Sequence, residues 1–187
     1  SLLGRLNGYC KRSLETAAGL CVSRTNYEVT IDHVLLVMVD DTNRDLQLIL
    51  HDYGVEPAHL KRALQRAIEE MRTGNSARPV FAPALIEWIT DAWLMSSVEL
   101  NLAEVRSGAL LAALLANPAR YGQAAWYQLL NDIPPDELKR KLLDIVSGSE
   151  ETAGGLASQA APVRPGDGEG LPGADSALGR FAINFTE

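Results

Sequence analysis

The sequence has few aromatic residues and no long apolar run. Phe, Trp and Tyr make up 6% of its 187 residues. No apolar stretch approaches the roughly 20 residues that a membrane-spanning helix needs. The first residues also lack the basic and then apolar pattern of a signal peptide. We therefore expect a cytoplasmic protein that has no membrane partner.

Positive charge and cysteine are also scarce. The formal net charge is −7, and nucleic-acid backbones are bound by clustered Lys and Arg, so no nucleic-acid partner is expected. Cys10 and Cys21 would lie about 16 Å apart on one helix, whereas a disulfide needs Cα atoms within roughly 7 Å. Two free, packed thiols are expected, with a reactive thiol as the alternative.

Patterns that carry catalysis or bind cofactors are missing as well. The glycine-rich stretch at 166–170 lacks the lysine and the preceding strand of a phosphate-binding loop. His33, His51 and His59 fit no metal-binding spacing. No serine stands in a Gly-x-Ser-x-Gly context. We expect no catalytic residue, metal or cofactor in this chain, and we interpret His33 as a helix-start residue.

An internal repeat organises the first part of the chain. The stretch at 26–39 recurs in weaker form at 103–115, where Val29 aligns with Val105 and Leu35 with Leu111. Residues 60–62 and 138–140 are both Leu-Lys-Arg, and each stretch begins three residues after a proline. Such a duplication indicates two copies of one structural unit.

The sequence of each copy predicts four helices. Apolar residues recur at three- and four-residue steps, as on one helix face, with Thr30 and Ser107 as predicted N-caps. No stretch alternates with period two, so no strand is expected. The predicted fold is all-α: two pseudo-repeated four-helix units packed with approximate two-fold symmetry. The helices are expected at about 3–21, 30–39, 45–53, 57–71, 83–99, 107–116, 123–130 and from Pro134 onward.

The composition changes after the last predicted helix. Gly, Ala, Pro, Ser and acidic residues dominate from 148 to 176, and such a segment cannot offset its ordering entropy by burial. We predict a folded domain at 1–147 and a flexible linker at 148–176. Apolar spacing returns at 177–187, which we interpret as the truncated start of a further domain.

These stretches resemble the double Clp-N domain at the front of the Clp/Hsp100 AAA+ unfoldases. Residues 27–36 (YEVTIDHVLL) are similar to the family's Thr-Pro-Glu-His-Leu-Leu type sequence, and residues 54–57 (GVEP) are its second mark. Ile31 stands where proline is usual. Residues 17–29 (AAGLCVSRTNYEV) look most like the ClpV (TssH) branch of type VI secretion. Residues 177–186 (ALGRFAINFT) resemble the lead-in to the first ATPase module.

The resemblance implies a docking module tethered to a hexameric ATPase ring that uses ATP and Mg in modules absent from this chain. In the ClpV branch the ligand is the N-terminal helix of the contracted sheath subunit TssC (VipB), which the ring then pulls so that the sheath is recycled. The implied groove lies between the first and the last helix. The isolated domain is expected to be a monomer, and the full-length protein a homohexamer.

The groove prediction rests on apolar stripes that are wider than one buried face needs. We expect Leu6→Glu to abolish peptide binding without changing the circular dichroism spectrum. If binding survives, the groove is expected elsewhere, near Trp88 and Met95. Part of each stripe is expected to be core. The predicted groove residues are Leu2, Leu3, Leu6, Tyr9, Cys10, Ser13, Lys139, Leu142, Leu143 and Val146.

Three other functions remain open from the sequence. The first is the N-domain of a general ClpB-like disaggregase that binds exposed apolar segments. The second is a small all-α enzyme, which would need a convergent polar cluster in a cleft. The third is an inert spacer that only positions the ring.

Overall fold

The computed structural model describes residues 1–152, and the predictions made for 153–187 lie outside this range. A 3-10 turn at Leu3–Arg5 leads into the first helix, a π-helical turn at Met95–Glu99 extends the fifth, and a 3-10 segment spans Ala125–Leu130. The α-helices in this range are α1 (Gly8–Ser23), α2 (Ile31–Val39), α3 (Asp45–Asp52), α4 (Pro57–Glu69), α5 (Pro83–Leu94), α6 (Ser107–Ala116), α7 (Pro118–Tyr121) and α8 (Pro135–Ile145).

This arrangement confirms the predicted all-α fold of two units. The first unit consists of α1–α4, and the second of α5, α6, the 3-10 segment and α8. The short helix predicted at 123–130 is a 3-10 segment, and α7 precedes it.

The expectation of no strand is wrong in detail. Two parallel strands of two residues each, β1 (Glu28–Val29) and β2 (Val80–Phe81), pair just before α2 and α5. Each strand ends directly before a helix N-cap, Thr30 or Ala82, whose own dihedrals are also extended. The backbone N–H and C=O groups of these residues form hydrogen bonds between the two units. The sequence does not predict the strands because two residues are too few to show an alternating pattern.

The strand pair and an isolated bridge are related by the pseudo-two-fold axis. Val29, before α2, pairs with Phe81, before α5. In the same way Val105, before α6, pairs with Leu6, before α1. Each pair therefore joins the second helix of one unit to the first helix of the other, as a two-fold relation requires.

Helix α6 lies at the centre of the core. All its residues from Ser107 to Leu115 are buried, which explains why its sequence is apolar on every side. Gly108 permits close approach, since a Cβ there would lie 2.9 Å from Asp45 Oδ2 and 2.9 Å from Leu142 Cδ1.

Helix α2 begins with the predicted cap. The Thr30 hydroxyl accepts from the backbone N–H of His33 at 3.4 Å, and the Thr30 N–H donates to His33 Nδ1 at 3.0 Å. His33 Nε2 lies 3.0 Å from Asn26 Oδ1. Because Nδ1 accepts, Nε2 carries the proton, so a neutral imidazole fits both contacts and His33 completes a capping box.

The predicted linker begins too early. Ser149 and Glu151 are buried, and the Glu150 N–H donates to the Asn43 carbonyl oxygen at 2.8 Å. Residues 149–152 therefore belong to the folded domain, because polar side chains rather than apolar ones hold them in place. The rest of the predicted linker lies outside the described residues.

Candidate docking surface

Most of the predicted groove residues are core residues. Leu6 is 1% exposed and Val146 is 0% exposed, and Cys10, Ser13 and Leu142 are also buried. These five side chains do not line an open groove, which corrects their assignment. The wide apolar stripes are used by two buried interfaces, since α1 packs against α2 while α8 packs against α6 and α3.

Tyr9 is also taken up by internal contacts. Its hydroxyl donates to Asp41 Oδ2 at 2.5 Å, and the Arg44 guanidinium lies 4.5 Å from the ring centroid. Burial, and then the hydrogen bond and charge of Asp41, raise the pKa of Tyr9 well above its ordinary value. The side chain joins α1 to the α2–α3 connection rather than facing an open groove.

Two predicted residues line an open cavity of about 550 Å³. Lys139 and Leu143 form its α8 side, and Leu143 is 44% exposed. Lys139 Nζ lies 3.0 Å from Glu99 Oε2 across the gap. The complete lining, which we call the α5–α8 groove, is Glu99, Leu100, Lys139, Arg140, Leu143 and Asp144. Leu2 and Leu3 are half-buried against the core.

The wall opposite α8 is irregular. The π-helical turn at Met95–Glu99 leaves Val98 74% exposed, next to Glu99. Ser96 Oγ is buried without a partner among the described residues, and Asn101 has a φ of 53°. π-turns and strained backbone positions cluster at functional sites.

The π-turn itself could not be predicted because it has no sequence pattern of its own, although the alternative groove near Trp88 and Met95 includes the first residue of that turn. The available sequence signal was a pair of apolar residues four apart, Leu94 and Val98, that lie off the main apolar stripe of the helix; the structure shows that both are exposed. The alternative site near Trp88 is corrected as well. Trp88 is fully buried, and its Nε1–H donates to the Leu110 carbonyl oxygen at 2.7 Å.

A buried charged cluster lies under the first turns of α3 and α6. Arg106 Nε and Nη2 donate to Asp45 at 2.6 and 2.9 Å, and Gly108 N–H donates to Asp45 Oδ2 at 2.9 Å. Glu151 Oε2 accepts from Asp45 N–H at 3.0 Å. Burial and then the charge of Asp45 raise the pKa of Glu151.

The prediction that Ser107 is an N-cap is wrong. Arg106 occupies the cap position of α6, and the Ser107 hydroxyl donates to Glu151 Oε2 at 2.5 Å. Two carboxylates from distant parts of the chain, those of Asp45 and Glu151, accept from the helix N–H groups instead. Each has its protein donors, so we interpret the cluster as structural.

Within residues 1–152, no group of three His, Cys, Asp or Glu side chains is placed to hold a metal ion. Over the same range, no helix has the length and apolar character to span a bilayer.

The α5–α8 groove combines two leucines with two cations and two carboxylates. Such a surface suits one apolar helix face with polar edges.

The fold and its duplication define a known class of domain. Residues 5–127 match the family described as the Clp repeat (R) N-terminal domain, and the chain belongs to that family.

Within the family, the chain is similar to ClpV N-domains. The N-domain of ClpV from Vibrio cholerae is 37% identical, with a TM-score of 0.76 over 80% of this chain and 90% of that one. A structure described as a complex of the ClpV N-domain with VipB peptide is 36% identical, with a TM-score of 0.72 over 80% and 92%.

Curated sequences give two relatives. The AAA+ ATPase ClpV1 of Pseudomonas aeruginosa is 25% identical over 196 residues, which cover 100% of this chain and 22% of that protein. The chaperone protein ClpB of Yersinia enterocolitica is 28% identical over 153 residues, covering 81% and 17%. The chain thus spans less than a quarter of either relative.

Proposed function

We propose that this chain is the non-catalytic substrate-docking domain of a longer AAA+ ATPase of the ClpV type. Its ligand is the N-terminal helix of the contracted sheath subunit TssC (VipB). The likeness to a ClpV N-domain solved with VipB peptide supports this proposal. ATP and Mg act in ATPase modules outside this chain, which form a homohexameric ring in the cytoplasm, while the isolated domain is a monomer.

The proposed ligand site is the α5–α8 groove. Leu100 and Leu143 provide an apolar floor. An amphipathic helix would place residues i, i+3 or i+4, and i+7 along this floor. Fully burying one Leu or Ile side chain of the ligand contributes about 1.5–3 kcal/mol.

Polar groups at the rim fix the ligand's orientation in this proposal. Lys139 and Glu99 form an ion pair across the groove, and Arg140 and Asp144 stand on the exposed side of α8. A bound helix would exchange part of this pair for contacts of its own. The domain makes and breaks no covalent bond; it holds the sheath subunit while the ring pulls.

A ClpB-like domain that binds exposed apolar segments is the second candidate, because a ClpB sequence also matches this chain. The two functions differ in selectivity. A sheath-specific groove discriminates between the sheath peptide and a scrambled peptide of the same composition, whereas a general disaggregase domain binds both.

Calorimetry with a synthetic peptide of the TssC N-terminal helix tests the proposal. We expect saturable binding that Leu143→Glu weakens at least tenfold, because a carboxylate replaces the exposed leucine of the floor. Val22→Glu is the matched control, since Val22 is 52% exposed near the end of α1 and does not line the groove. Both variants should unfold at the wild-type denaturant concentration.

A third variant separates the two possible positions of the site. Leu3→Glu alters the half-buried segment before α1, where the sequence analysis placed the groove. If Leu3→Glu weakens peptide binding and Leu143→Glu does not, the α5–α8 position is wrong. Equal binding of the native and the scrambled peptide would contradict the sheath-specific function itself.

A further inference from the structure

A second concave surface lies between α4 and the 3-10 segment Ala125–Leu130. It encloses about 310 Å³ and shares no lining residue with the α5–α8 groove. Its lining, which we call the α4 basic groove, is His59, Arg62, Ala63, Arg66, Ala125 and Leu129.

The groove concentrates positive charge on an acidic protein. His59, Arg62 and Arg66 are three and four residues apart, so their side chains lie on one face of α4. All three are exposed. The formal net charge of the whole chain is −7, so this basic surface contrasts with the average charge.

The two arginines have no carboxylate partner in the described part of the chain. The neighbouring Lys61 lies 2.9 Å from Asp40, and Arg120 lies 3.7 Å from Asp91, whereas neither Arg62 nor Arg66 forms an ion pair within residues 1–152. Like charges at i and i+4 on a helix disfavour each other. An acidic ligand would relieve this repulsion.

The opposite wall supplies apolar contacts. Leu129 is 38% exposed although its neighbours Tyr127 and Leu130 are buried. Ala63 and Ala125 are small, so they leave room between the cations and this leucine. A ligand that fits here has carboxylates on one side and an apolar side chain on the other.

We propose that the α4 basic groove docks a short acidic amphipathic segment of a partner protein. Two carboxylates one helical turn apart face Arg62 and Arg66, and an apolar side chain between them lies against Leu129. Charge complementarity favours this occupant, since the groove presents unpaired cations beside one exposed leucine. The long-range field of an acidic protein disfavours a nucleic acid, which carries charge along its whole length.

The proposal does not depend on sheath binding, because the two grooves have separate linings. A protein that carries both sites binds an acidic segment and the sheath peptide at the same time. Saturating sheath peptide should therefore leave the affinity of the α4 basic groove for its ligand unchanged.

The test uses the full 187-residue chain and a synthetic fluorescein-labelled helical peptide. The peptide has Glu at i and i+4 and Leu at i+3, and a twin carries Gln in place of each Glu. Fluorescence anisotropy should show that the Glu peptide binds more tightly than its twin. Raising the ionic strength from about 0.15 M to about 1 M, which shortens the Debye length to about 3 Å, should remove the difference.

The variant R62E/R66E should weaken binding of the Glu peptide by at least about two- to thirtyfold, the range for losing two exposed ion pairs, because the new carboxylates also repel the peptide. Its matched control, R12E/R78E, reverses two exposed charges outside the groove and should bind as the wild type does. Circular dichroism should show that all variants are folded. L129A should weaken binding without altering its salt dependence.

Four results would overturn the proposal: equal binding of the Glu and Gln peptides, equal loss in both double variants, tighter binding of a single-stranded oligonucleotide, or a dimer that R62E/R66E abolishes. The last result would assign the groove to a second copy of this chain.

Discussion

The Glu151 carboxylate accepts hydrogen bonds from both the backbone N–H and the hydroxyl of Ser107, at 2.9 and 2.5 Å, across 44 residues of sequence. It also accepts from the Asp45 N–H and from Asn7 Nδ2, each at 3.0 Å. One side chain after α8 thus meets the first turns of α3 and α6 and the N-cap of α1. The segment that leaves the domain is therefore part of its structure.

Glu151→Ala should lower the free energy of unfolding by about 3 kcal/mol, because several buried donors lose their acceptor at once. Urea unfolding followed by circular dichroism measures this loss. Glu150→Ala is the matched control, since that neighbouring side chain is exposed and its ion pair with Arg44, at 3.7 Å, lies at the surface. The control should change stability by less than about 0.5 kcal/mol. Equal effects would show that the buried carboxylate is not what holds the segment.

The repeat and the helices could be predicted from local patterns, whereas the polar cluster could not. Thr30 and His33 are three residues apart, so their capping box is visible in the sequence. Asp45 and Glu151 act on helix termini 63 and 44 residues away. Nothing in a local pattern pairs such groups, and the prediction of Ser107 as the cap is therefore wrong.

Gly108→Ala should destabilise the domain by about 1–3 kcal/mol, the usual cost of overpacking a core. Its new methyl group would lie 2.9 Å from both Asp45 Oδ2 and Leu142 Cδ1, where α6 approaches α8. Gly19→Ala is the control on an exposed face of α1, where a Cβ meets nothing within 4 Å. There alanine should raise helix propensity and increase stability by up to about 1 kcal/mol. Thermal unfolding measures both effects. Melting temperatures that shift in the same direction in the two variants would contradict this interpretation.

His33 should make the domain less stable in mild acid. Burial lowers the pKa of His33 from 6.5, Arg24 lowers it further, and Asp32 opposes the shift. The folded state therefore binds fewer protons than the unfolded chain between the lowered pKa and 6.5. The stabilisation is complete above that window and is lost as the pH falls through it. Urea unfolding across this pH range measures the loss.

His33→Gln tests that origin. Glutamine at this position can accept from the Thr30 N–H and donate to Asn26, as in the usual capping box, but it does not titrate. The stability difference between wild type and variant should therefore shrink as the pH falls below 6.5. A difference that stays constant with pH would assign the acid sensitivity to other groups.

The groove prediction failed mainly at the residues with the strongest apolar pattern. Periodicity identifies a buried face, and Leu6, Cys10 and Leu142 do form that face. It cannot say which part of a wide stripe a neighbouring helix covers. Leu143 remains accessible because it lies one residue off the α8 core stripe formed by Leu138 and Leu142.

Leu6→Glu should unfold the domain rather than only block peptide binding, because Leu6 is 1% exposed and pairs with Val105 between the two units. A carboxylate there loses the buried leucine contacts and its own hydration, which together cost several kcal/mol. Circular dichroism should show a loss of helix or a greatly lowered melting temperature. Leu6→Met, which nearly conserves volume, should cost less than about 1.5 kcal/mol. A Leu6→Glu protein with wild-type stability would instead place this side chain at a surface.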